Sequence, residues 1–135
     1  MISIKALYND VGNAMKGICD KVYAKSRPKA VSDRPGSYIV VYFPSSIFNN
    51  EMNGDGSYND FTTTVQIEVY VRDKVSARNP SVFDTITVDE KVGMVLKRFP
   101  IVTSNLTVTK PRVTLQTDDG DGFSVVIVQG LLRTR

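Results

Sequence analysis

The sequence predicts an α+β domain, a two-layer sandwich in which two helices pack on one face of a mainly antiparallel four-stranded sheet, in the order α-β-β-α-β-β. Three observations predict it. An apolar stripe at helical spacing opens the chain, residues 61–72 alternate strictly between apolar and polar side chains, and an Asp/Gly turn joins two β-rich runs near the end. Four strands span about 19 Å, and two helices of roughly 10 Å each cover one such face.

The 135 residues suit a single domain, 1–135, and 41% hydrophobic with 23% charged residues is a globular composition. The opening stripe comprises Ile4, Leu7, Val11, Met15, Ile18 and Val22, predicting a helix over residues 4–25 with Ser3 as its N-cap. Arg27-Pro28 and Arg34-Pro35-Gly36 then impose a turn. Tyr38–Phe43 is apolar on both faces, which predicts a strand covered on both sides and closed by Pro44. Residues 44–60 read as a long loop.

In the alternating strand, Phe61, Thr63, Val65, Ile67, Val69 and Val71 form the buried face. Thr62, Thr64, Gln66, Glu68, Tyr70 and Arg72 form the polar one. After a polar connection at 73–80, a second helix spans 81–99 with Phe83, Ile86, Val92, Val95, Leu96 and Phe99 inward. Thr87-x-x-Glu90 matches a capping box, and Pro100 ends the helix. Strands at 106–117 and 122–133 follow, with Pro111 marking an edge or a bulge. A loop of Asp119-Gly120-Asp121 would set Val113 against Ile127, Leu115 against Val125 and Thr117 against Phe123, uniting the apolar set. That register places Val125 with Leu7, Val11 and Leu96 in the core.

Ordinary enzyme chemistry finds few carriers. The chain has no His, which removes the usual general base and metal ligand, and Cys19 lies on the apolar stripe as a small hydrophobe. A single cysteine also suits a reducing compartment. Ser26-x-x-Lys29 has the spacing of a nucleophile pair without its companion motifs. Asn53–Asp60 departs from a calcium loop at Tyr58, and Asp118, Asp119 and Asp121 are accounted for by turn chemistry. The expectation is no catalytic residue, no cofactor and no metal. The net charge of +3 is spread over loops rather than gathered in a nucleic-acid stripe. No run reaches the ~18 apolar residues of a membrane span, and the polar start lacks a signal peptide's apolar stretch.

Surface pattern supplies what motifs do not. Strands of this length reach about 40 Å, as long as the domain is wide, so hairpins are expected to overhang and seek a partner. Tyr38, Val40, Tyr42, Val126 and Val128 are expected opposite the helices, covered either by the 44–60 loop or by a neighbouring subunit. With the polar face of 62–72 they form the candidate interface.

The order of elements, from the N-terminal helix through Tyr38–Phe43 and Asp60–Arg72 to the helix containing Val92-Gly93-Met94-Val95-Leu96 and the closing Phe123–Gln129 hairpin, resembles the tail terminator (tail completion) proteins of long-tailed bacteriophages. That resemblance implies a virion structural protein, assembled in the host cytoplasm into a homo-oligomeric, typically hexameric ring at the head-proximal end of the tail. Such a ring ends tail-tube polymerisation, receives the head connector and lets DNA pass transiently through its channel. The alternatives are another phage neck or head–tail joining protein, or a small cytosolic protein- or ligand-binding module.

Overall fold

A computed structural model describes residues 3–44, 48–52, 58–73, 85–116 and 119–134. Helix α1 (Ile4–Ala14) begins as expected, with the Ser3 hydroxyl accepting from the Ala6 N–H at 3.1 Å. It ends eleven residues earlier than the apolar spacing suggests. The chain turns at Gly17, whose φ is +86°, and Lys21–Ala24 becomes strand β1. Met15 and Ile18 still enter the core, but from this turn rather than from a helix.

Strand β2 (Ser37–Tyr42) follows a short 3-10 turn at Val31–Asp33. The expected 44–60 loop contains strand β3 (Phe48–Met52), and β4 (Tyr58–Arg72) starts three residues before the alternating run. Helix α2 spans Thr85–Lys97, with Thr87 inside it, so Thr87 does not cap it. Phe83 lies outside the described residues. Val88, Val92, Val95 and Phe99 pack inward, whereas Ile86 is 80% and Leu96 36% exposed. A two-residue strand β5 (Ile101–Val102), β6 (Leu106–Gln116) and β7 (Phe123–Thr134) complete the chain.

The fold is therefore not a four-stranded antiparallel sandwich. Among the described residues, seven strands form one mixed, curled sheet, a half-barrel. Its continuous path is β1-β2-β4-β7-β6-β5, and β3 pairs with β4 beside that path. β1 runs parallel to β2, and the other pairs are antiparallel. Both helices contribute to the same core, with Leu7, Val11 and Val95 against Ile39, Val65, Ile67 and Val128.

The β6–β7 register also departs from expectation. Val113 pairs with Val128, Thr114 with Ile127 and Leu115 with Val126, one residue away from the apolar-matching arrangement. The reason is burial. Phe123, Ser124, Val125 and Val126 are all buried, so both faces of this end of β7 are covered and apolar matching cannot choose between registers. Val126 and Val128 consequently point to the helix side, opposite Val69 and Ile67, while Val125 points away. The expected irregularity at Pro111 is present as a bulge between Thr109 and Arg112, with Lys110 at φ +54°. Gly130 is required where β7 meets α2's end, because a Cβ there would stand 2.6 Å from Val108 Cγ1 and 3.1 Å from Phe99 Cε1.

Candidate assembly surface

The face of the sheet away from the helices divides into a closed half and an open half. In the closed half, Tyr38 stacks on Tyr70 with centroids 4.6 Å apart, and Phe123 and Tyr23 meet Tyr38 edge-on at 5.3 and 5.7 Å. Alternation puts these rings together, since Tyr38 pairs with Tyr70 across β2–β4 and Arg72 with Phe123 across β4–β7. Val40 and Val125 fill out the same cluster.

A strap formed by residues 25–36 is tied to this half. The Arg27 guanidinium lies 5.0 Å from the Tyr70 ring centre, and Arg72 lies 4.9 Å from that of Phe123. Arg34, only 6% exposed, donates to Pro28 O, Lys29 O and Asp121 Oδ2 at 2.8, 3.0 and 2.9 Å. Arg27 reaches Asp119 and Asp121, and Arg72 donates to Arg34 O. The turn is set locally, with Asp119 Oδ1 accepting from the N–H groups of Asp121 and Phe123 at 2.7 and 3.1 Å. Among the described residues no group hydrogen-bonds the buried Tyr38 hydroxyl, and the nearby Arg27 only moderates the rise in its pKa that burial causes. Tyr38, Val40 and Tyr70 are thus core residues of a second cluster, not interface residues.

Arg34, through its hydrogen bond and charge, holds the Asp121 carboxyl below the usual carboxylate range. A depressed folded-state pKa gives stability that is complete above the unfolded value, about 4, and is lost as pH falls through the folded value. Asp121→Asn should therefore lower the melting temperature at pH 7, and its curve should converge on the wild-type curve as pH falls well below the ordinary carboxylate range. Parallel melting curves from pH 7 to 2 would show that this ion pair does not stabilise the fold.

The open half carries a chain of polar side chains across three strands. Arg112 donates to Gln129 Oε1 at 3.0 Å, Gln129 to Gln66 Oε1 at 3.2 Å, and Gln66 to Glu68 Oε2 at 2.7 Å. Tyr70 donates to the other Glu68 oxygen at 2.7 Å. Burial and this bond push the Tyr70 phenol up, keeping it a donor. Thr62 and Thr64 are half-buried here, Tyr42 is 37% and Leu131 40% exposed, and Arg72 is exposed at the strap. A depression of about 330 Å³ lies among Thr64, Lys110, Arg112, Gln129, Gly130 and Leu131.

Of the expected interface, Tyr42, Thr62, Thr64, Gln66, Glu68 and Arg72 share this face; Val126 and Val128 do not. Arg112, Gln129 and Leu131 were missed, although β7's alternation would have placed Gln129 and Leu131 once its parity was known. Beyond the face, Lys110, Pro111, Arg112, Val113 and Thr114 are exposed in succession, so neither side of β6 is covered there. At the sheet's other margin, residues 58–61 of β4 have β3 as their strand partner and extend past β7, whose pairing starts at Thr62.

Among the described residues no group of three or more Cys, Asp or Glu is placed to hold a metal, and no helix is long and apolar enough to cross a membrane. Residues 53–57 and 118 of the two acidic runs lie outside the described residues. Burial pushes the half-buried Cys19 thiol up, away from nucleophilic character. Ser26 and Lys29 are exposed in the strap. No protein-family model and no curated protein sequence matches the chain.

Proposed function

We propose that the chain is a structural subunit that closes into a ring with copies of itself, of the kind that terminates the tail of a long-tailed phage. The observation carrying this reading is the overhang of the sheet. β4 has 15 residues and spans roughly 50 Å, against a domain some 35–40 Å across. Its first residues, 58–61, extend past β7 and pair with β3, and across the sheet residues 112–116 of β6 have no described strand on their outer edge. Backbone groups in such edges are ready to pair with another chain. Two unlike edges on one subunit make a head-to-tail contact, which generates a ring when its rotation closes.

The aromatic half of the face is covered by the subunit's own strap and needs no partner. The reading rests on the edges and on the resemblance in element order. In it, the ring sits at the head-proximal end of the tail tube, meets the head connector and surrounds the DNA path. Negative-stain imaging of the concentrated chain, alone and with tail-tube protein from the same genome, should show annular particles in at least one condition. Isolated globular particles in both would contradict the ring.

A further inference from the structure

Strand β6 changes sides partway along. Leu106 and Val108 are buried in the helix-side core, Val108 opposite Leu132. Unbroken alternation would send Lys110 and Arg112 the same way. The bulge prevents this. Lys110 and Pro111 together stand where β7 has Gly130 alone, and pairing resumes at Arg112 with Gln129. Arg112 thereby joins the open face, in one cross-strand row with Gln129 and Gln66. The row beside it is Thr109, Leu131 and Thr64.

The switch gathers donors around one hollow. Lys110, Arg112, Thr64, Gln129 and Leu131 line the depression of about 330 Å³, and Gly130 adds no side chain to fill it. Lys110 and Arg112 are exposed, and neither has a carboxylate partner among the described residues. Lys110 also holds φ +54°, a left-handed conformation that glycine or asparagine adopts more readily. A lysine there keeps a cation beside the hollow at a cost in backbone strain. Gln129 takes one donor of Arg112, and a guanidinium has several more. Glu68, on which the polar chain ends, lies two residues beyond Gln66 and accepts from Gln66 and Tyr70.

We propose that this hollow binds a phosphate group. Its lining offers an ammonium, a guanidinium and a hydroxyl, and no carboxylate lines it. A phosphate group presents several strong acceptor oxygens to such donors. The planar guanidinium matches two of them at once, and the lysine supplies a point charge beside it. The phosphate is either a free one or one link of a phosphodiester chain, and Arg133 separates the two. It is exposed in the next row, opposite Thr107 and Thr62, about 7 Å beyond Leu131 along β7. A chain of phosphates reaches it, whereas a single phosphate in the hollow does not. The site stands apart from the ring reading, since one subunit supplies every residue of it.

The test is an NMR titration of the dilute, isotope-labelled full chain at constant ionic strength, with inorganic phosphate and a short oligothymidylate as probes. Amide shifts should gather at Thr109, Lys110, Arg112, Gln129, Gly130 and Leu131. Lys110→Gly removes the ammonium and suits the positive φ, so it should melt no lower than the wild type. It should nevertheless bind phosphate about tenfold or more weakly, and Arg112→Gln should weaken binding by a similar factor. If the ligand is a free phosphate, Arg133→Gln leaves affinity unchanged and oligothymidylate binds no tighter. If it is a phosphodiester chain, oligothymidylate binds tighter, and Arg133→Gln weakens it and lowers its salt slope by about one. Either pattern supports the site. Absent or scattered shifts with both probes, equal shifts with sodium chloride alone, or undiminished binding by folded Lys110→Gly would overturn it.

Discussion

Truncating Ile67 to Ala should destabilise the folded chain by about 2–5 kcal/mol in urea or thermal unfolding. Ile67 is fully buried and lies between Val41 of β2 and Val128 of β7 on the helix-facing side. Loss of its side chain removes buried apolar surface and leaves a cavity that β strands on both sides cannot close. Its neighbour Gln66 is half-buried on the opposite face, with bonds to Glu68 and Gln129. Gln66→Ala should cost about 1 kcal/mol, the net worth of ordinary hydrogen bonds exchanged for water. Equal losses at the two positions would mean that the faces of β4 are reversed.

Phe123→Ala should cost a comparable amount, about 3–5 kcal/mol, and should do so in dilute protein where no assembly forms. The ring is completely buried, edge-on to Tyr38 and beneath the Arg72 guanidinium. The strap completes this cluster within one subunit. If a neighbouring copy were needed to cover it, the substitution would leave the dilute chain's stability nearly unchanged and weaken only association. Unfolding curves at low concentration separate these outcomes.

The parts of the fold legible in the sequence were those in which one face alone is buried. β4 is the clearest, because Val65, Ile67 and Val69 are buried while the alternate side chains between them are half-buried. The start of α1 was legible through its Ser3 cap and the Leu7–Val11 spacing. Its end was not, because Met15, Ile18 and Val22 keep helical spacing through a turn and into β1. β3 is short and carries two asparagines in five residues, so nothing in its pattern marks a strand. β7's parity was lost where both of its faces are buried.

The candidate surface followed the same rule. Gln66 and Glu68 were placed correctly with β4, whereas Val126 and Val128 went to the wrong face with β7. That Tyr38 and Val40 are closed off by residues 25–36 depends on Arg27 and Arg34 meeting Asp119 and Asp121, up to 94 positions away. No local periodicity reports such a contact.

Native mass spectrometry across a concentration series distinguishes closure into a ring from its alternatives. Closure predicts a jump from the 15.0 kDa subunit to one larger species, with six copies weighing about 90 kDa (6 × 15.0), and no ladder of intermediate or still larger masses. A single subunit mass at every concentration, or a continuous ladder without a preferred size, would contradict it.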